Sequence, residues 1–172
     1  MSKVKLLTAL VLFVLAVQPS FADDASKFVG IWRLLTYEAE RQGTGTWEPV
    51  WGQNPTGYLI FTPEGRMMAM ITAGEREAPK TFEEAADLLN TMSAYTGTYR
   101  TEGDKWITKV DAAWIPQFVG TEQPRSFKVE GDRLHVVTQQ FPFIAAGVPA
   151  KIRPNWPEKG VTRFRLTFER VK

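Results

Sequence analysis

Apolar and polar side chains alternate with period two through almost every run between turn signals from residue 30 to residue 171, and no other feature of the chain restricts the fold as much. Successive side chains of a strand point to opposite faces, so this alternation marks strands with one face in a core. Over residues 30–41, GIWRLLTYEAER, the even-numbered Trp32, Leu34, Thr36 and Glu38 are expected to face inward, against Ile31, Arg33, Leu35 and Tyr37. Residues 94–101 place Tyr95, Gly97 and Tyr99 on one face, and residues 106–112 do the same for Trp106, Thr108, Val110 and Ala112. Arg125, Phe127 and Val129 then share a face, as do Leu134, Val136 and Thr138; a closing strand over residues 161–171 aligns Phe164, Leu166 and Phe168, with Arg170 on the same apolar side. Turn signals at residues 43–46, 54–57, 102–104 and 131–132 separate these runs. Many short strands punctuated in this way predict an all-β, antiparallel barrel or sandwich rather than a βαβ protein.

Two runs depart from one-sided alternation. Residues 58–62 and 66–72 flank Pro63-Glu64-Gly65, a tight-turn sequence, and both are apolar on both faces. Tyr58, Met68 and Met70 are assigned to the interior, so the other face needs a cover. The cover is expected to be a single helix over residues 81–92: Thr81 and Glu84 form a capping-box pattern, and Phe82, Ala85, Ala86, Leu88, Leu89 and Met92 make an apolar stripe at helical spacing. A short helical start over residues 23–29 would tuck Phe28 and Val29 under the sheet. Residues 142–160 carry Pro142, Pro149, Pro154 and Pro157, and structureless connections of that length are usually either functional or mobile.

The first 22 residues read as a cleaved secretory signal: Lys3 and Lys5, an apolar run over residues 6–17, and a small-residue exit ending at Ala22. The apolar run falls short of the ~20 residues that span a bilayer, so no stable membrane insertion is expected after cleavage. The expected products are a single domain over residues 23–172 and a periplasmic or secreted location. Losing Lys3 and Lys5 brings the 21 basic residues down to 19, level with the 19 acidic ones. That balance gives no electrostatic case for nucleic acid. There is no cysteine and one histidine, His135, whose neighbours Leu134 and Val136 take the opposite face. No metal, no cofactor and no catalytic residue is assigned from such a set. Oligomeric state is not readable.

The ordered segments GIWRLL, GYLIFTPEGRMMAMI, YTGTYR, IPQFVGTEQPRSFKVEGDRL and LTFERV resemble the bacterial and fungal lipocalin-like domain family across nearly all of the chain after residue 22. The resemblance implies an up-and-down barrel of about eight to ten strands with one helix packed outside. It also implies barrel closure by Gly30, Trp32 and Arg170, the guanidinium lying across the indole at the closed end. One departure stands out: Thr108 occupies a position where members of the family commonly carry histidine.

A barrel of this size can hold one ligand. Its expected partner is a small hydrophobic molecule, lined by Glu38, Tyr58, Met68, Met70, Tyr95, Tyr99, Trp106, Arg125 and Phe127. Arg125 is either an anchor for a ligand carboxylate or carbonyl, or half of an internal pair with Glu38. Two alternatives stand beside the binding reading. One is an isomerase- or cyclase-type enzyme in which Glu38 or Asp111 moves a proton while Tyr95 or Arg125 stabilises charge. The other is a protein-interaction module using the outer face.

Overall fold

The structure, a computed structural model, describes residues 27–41, 45–139 and 161–172. The leader expected over residues 1–22, part of the turn at residues 43–46 and the proline-rich segment 142–160 lie outside the described residues. Nine strands follow in order: β1 (Gly30–Arg41), β2 (Trp47–Pro49), β3 (Thr56–Phe61), β4 (Arg66–Thr72), β5 (Met92–Glu102), β6 (Lys105–Ala113), β7 (Glu122–Glu130), β8 (Arg133–Gln139) and β9 (Val161–Arg170), with helix α1 (Phe82–Leu89) between β4 and β5. All pairings are antiparallel: β1 pairs with β3, each strand from β3 to β8 pairs with the next, and β1 also pairs with β9. That last pairing seals eight strands into a barrel. The short β2 is an addition, laid against residues 38–40 of β1 beyond the point where β3 leaves it.

Both β1 and β6 carry an extra residue, and each extra residue reverses the alternation that the sequence suggested. In the β1–β9 register Leu34 faces Phe168 and Thr36 faces Thr167, so Leu35 is the bulged residue. Leu34 is therefore buried like Trp32, but beyond the bulge the inward positions become Tyr37 and Ala39. In the β5–β6 register Gly97 faces Val110 and Thr96 faces Ala112, leaving Asp111 extra. Ala112, expected inside, is exposed, and Ala113 packs on the core in its place. β7 contains Pro124, opposite Ile107; its pairing with β8 begins only at Ser126, so the missing proline N–H breaks no ladder bond on that side.

One end of the barrel is packed with rings. Phe28, Trp32, Phe61, Trp106 and Phe168 are each no more than 1 % exposed. Phe28 stands edge-on to Phe61 and Phe127 with centroids 4.7 and 4.8 Å apart, and Trp106 meets Phe61 at 5.3 Å and Phe127 at 5.8 Å. The other end is rimmed by the connection carrying Trp51, by α1, and by the 3-10 turn Pro116–Phe118. Phe118 plugs under that rim against Tyr95 and Trp114.

Helix α1 begins as expected: the Glu84 N–H donates to Thr81 Oγ1 at 3.1 Å, while the Glu84 carboxylate accepts from the Lys80 N–H at 2.6 Å. It ends at Leu89 rather than near Met92, because Met92 is already paired with Thr72 in the sheet. It does not cover β3 and β4. None of its residues is buried, Phe82 is 97 % exposed, and the outer face of β3–β4 is open. No described helix is long and apolar enough to cross a membrane.

Candidate functional site

The closed end is locked by the residues expected there. Trp32 faces Arg170 across β1–β9, and the guanidinium lies over the indole with its carbon 4.1 Å from the ring centroid. Nη1 of Arg170 donates to the Val29 carbonyl at 2.8 Å and Nη2 donates to the Lys27 carbonyl, while Trp32 Nε1 donates to the Phe28 carbonyl at 2.8 Å. Gly30 sits beneath with φ +132°, where a Cβ would come 3.0 Å from Arg170 Nη1. Glycine is the residue that tolerates both demands.

Above the ring-packed floor the interior turns polar. Thr108, Gln123, Arg125 and Thr138 are all at least nine-tenths buried. Cross-strand partners share a face, and β6 and β7 pair Trp106 with Arg125 and Thr108 with Gln123, which gathers these side chains on one wall. Nη1 of Arg125 donates to the Pro124 carbonyl at 2.8 Å, and Nη2 approaches Gln123 Oε1 at 3.4 Å. Gln123 Nε2 donates in turn to Thr121 Oγ1 at 2.6 Å. Tyr37 enters from β1. Burial drives its hydroxyl pKa far above the ordinary phenol range, the nearby Arg125 charge opposes that rise, and Tyr95 adds to it. At neutral pH this phenol is therefore a donor. The Trp51 ring stacks edge-on against Tyr37 with centroids 4.8 Å apart. Trp51 Nε1, Trp106 Nε1 and Thr108 Oγ1 are buried with no hydrogen-bond partner among the described residues.

The residues assigned from sequence divide into two groups. Tyr95, Tyr99, Trp106, Arg125 and Phe127 face inward as expected. Of these, Tyr99, Trp106 and Phe127 belong to the ring-packed floor, where the Tyr99 hydroxyl donates to the Thr62 carbonyl at 2.9 Å. Tyr58, Met68 and Met70 do not line the interior. They are 45 %, 49 % and 54 % exposed, and the inward positions of β4 are Met67, Ala69 and Ile71. Nor is Glu38 inside. The Leu35 bulge turns it outward, where its carboxylate receives both Nε and Nη2 of Arg165 at 2.7 and 2.8 Å. Glu40 takes Arg163 in the same bidentate way, and Trp47 lies under both guanidinium groups. Asp111, the other acid considered for proton transfer, is outside against Arg66. Among the described residues no acidic side chain is buried. His135 points outward beside Glu130, as its parity required.

Sequence reasoning missed Tyr37, Trp51 and Gln123 as interior polar groups. Tyr37 was hidden by the bulge and Trp51 by its position in a loop, whereas Gln123 follows from Arg125 by simple alternation. Outside the barrel, a cleft of about 370 Å³ lies between α1 and the preceding connection, lined by Arg76, Lys80, Glu84, Asp87 and Leu88 among others, and none of the assigned residues reaches it.

Compared with known protein families, residues 29–171 match the lipocalin-like domain. No curated protein matches the chain.

Proposed function

Because this chain belongs to the lipocalin-like domain family over residues 29–171, a fold of ligand-binding barrels, we propose that it is an exported carrier that holds a small, largely apolar molecule inside its barrel. The observation that carries this reading is the buried guanidinium of Arg125, 7 % exposed on a wall it shares with Thr108 and Gln123 above a floor of aromatic side chains. Ligand sites are commonly apolar enclosures with a few placed polar groups. The polar residues lie above the floor formed by Phe28, Trp106 and Phe127, so the ligand sits in the upper half of the barrel.

Export is supported by the charged start, apolar run and small-residue exit of residues 1–22. Intact-mass measurement of the protein from envelope and medium fractions tests it, with a chain beginning at Asp23 expected and a chain retaining Lys3 and Lys5 refuting it. The carrier reading is tested by native mass spectrometry of protein purified without detergent and by uptake of Nile red. Non-stoichiometric, unsaturable dye binding together with a ligand-free mass spectrum refutes it.

A second reading, an interaction module, is favoured by one observation: Ile31, Tyr58, Met68 and Met70 form an exposed apolar surface on neighbouring strands. Sedimentation from low to high micromolar concentration tests self-association through that face, and a sedimentation coefficient that stays constant refutes it.

A further inference from the structure

The cleft beside α1 lies outside the barrel, and its volume of about 370 Å³ falls within the span of about 300–1,000 Å³ usual for small-molecule sites. Asp87 lines it, and Oδ1 of that side chain is buried with no hydrogen-bond partner among the described residues. Buried polar atoms in folded proteins are almost always paired, so this acceptor calls for an explanation.

Opposite charges share the cleft without neutralising one another. Arg76 and Lys80 line it with Asp87, yet neither cation forms an ion pair with Asp87 or with another acid among the described residues. Arg76 instead donates Nη2 to the Leu88 carbonyl at 3.1 Å, which holds the guanidinium at the end of α1 and leaves the rest of its donor fork open. The Lys80 backbone N–H is held by the Glu84 carboxylate, and its ammonium is exposed. Asp87 also stands in the last turn of α1, which carries no basic residue. The helix dipole disfavours an anion there and favours a cation.

The facing wall is set by backbone rather than by side chains. A Cβ on Gly74 would come 2.5 Å from the Gln53 carbonyl oxygen, and Glu75 holds φ +54°, which residues other than glycine rarely adopt. Such conformations cost energy, persist where the surroundings fix them, and cluster at ligand sites.

We propose that this cleft is a binding site separate from the barrel, and that it takes a small zwitterion, a free amino acid or a short peptide. The ligand's ammonium donates to Asp87 Oδ1, and its carboxylate seats on Arg76 with Lys80 beside it. A simple anion leaves the Asp87 acceptor unmet and meets a like charge there; a simple cation leaves Arg76 and Lys80 unmet. Holding the opposite charges apart is what selects a molecule that carries both.

The test follows backbone amide signals by nuclear magnetic resonance as the whole processed, isotope-labelled protein is titrated to about 10 mM with each of four probes. Two are zwitterions, L-alanine and L-alanyl-L-alanine, and two carry a single charge, propionate and ethylamine. Saturable shifts centred on residues 73–91 are expected with a zwitterion, at a concentration about tenfold or more below that needed for either single-charge probe. Tighter alanine assigns a free amino acid, and a tighter dipeptide assigns peptide. Asp87→Asn and Arg76→Gln should each raise the half-saturating concentration about tenfold. The wild-type comparison decides the question if either variant fails to fold. Absence of shifts with both zwitterions, a single-charge probe that matches the better zwitterion, shifts centred on Gln123 and Arg125 instead, or half-saturation unchanged in both variants overturns the site. None of these outcomes touches the carrier reading, which stands or falls on the barrel's own uptake of dye.

Discussion

Replacing Arg170 by methionine keeps an unbranched stem along Trp32 and removes the guanidinium alone. The loss has two parts. The cation–π contact, at 4.1 Å from the ring centroid, is worth about 0.5–2 kcal/mol. Charge-assisted hydrogen bonds to the Val29 and Lys27 carbonyls are each worth about 1.5–3 kcal/mol when fully retained. Both carbonyls lie at the end of the barrel where water can replace the lost donor, so roughly half of that value is forfeited. The expected destabilisation is about 2–5 kcal/mol, and for a domain near this size each kcal/mol moves the midpoint by about 2–4 °C. Thermal unfolding followed by far-ultraviolet circular dichroism should therefore show a fall of about 4–20 °C.

Arg170→Lys separates the two parts. Lysine keeps a cation near the indole but lacks the planar fork that reaches two carbonyls at once, so it should recover less than half of the loss. A Trp32→Phe partner variant closes a double-mutant cycle with an expected coupling of about 0.5–2 kcal/mol. If Arg170→Met melts within about 2 °C of the wild type, or Arg170→Lys equals the wild type, then the guanidinium does not hold the closed end and the closure argument fails.

Gly97→Ala should abolish soluble folded protein, because a Cβ there would drive into the Lys109 backbone across the bulged β5–β6 ladder; a monomer peak with native circular dichroism refutes this. Acid should destabilise the fold in a defined direction: hydrogen bonds from Arg66, Arg100, Lys128 and Arg33 hold Asp111, Glu122, Glu130 and Glu169 below the ordinary carboxylate range. The unfolded chain takes up protons first, so this contribution is whole at neutral pH and is lost as pH falls through the folded values. Urea midpoints should be level from pH 7 to about pH 5 and decline below about pH 4, whereas a flat profile to pH 3 removes the pairs from the stability account. Met68→Thr with Met70→Thr should leave Nile red uptake unchanged and shift stability by under about 1 kcal/mol, since both side chains face solvent; weakened uptake would mean that they line the site after all.

How much was legible depended on whether a bulge or a two-sided strand intervened. Trp32 with Arg170, Arg125 with Phe127, and the outward His135 all follow from uninterrupted alternation, and the structure keeps each on the face that parity assigns. The inward set of β3 and β4 was misread because Tyr58, Met68 and Met70 are as apolar as Leu59, Ala69 and Ile71, so composition does not say which face turns inward. Pairing does. Trp32 faces Leu59, Leu59 faces Ala69 and Ala69 faces Tyr95, and partners directly across a ladder share a face. Once Trp32 and Tyr95 are inside, Met68 and Met70 have only the outside left.

Glu38 shows a different limit, and it bears directly on the site. Alternation from Trp32 places an acid opposite Arg125 and makes the interior a neutral ion pair. The one extra residue, Leu35, moves that acid to the surface and brings a phenol inside. Nothing in the local composition of LLTYE announces the bulge, since Leu35 is as good a strand former as its neighbours. Yet that single insertion takes Glu38 out of the enclosure and puts Tyr37 into it. The same strand then uses the displaced acid to bind Arg165 on the outside, so the bulge that shapes the interior also ties β1 to β9 across the seam that closes the barrel.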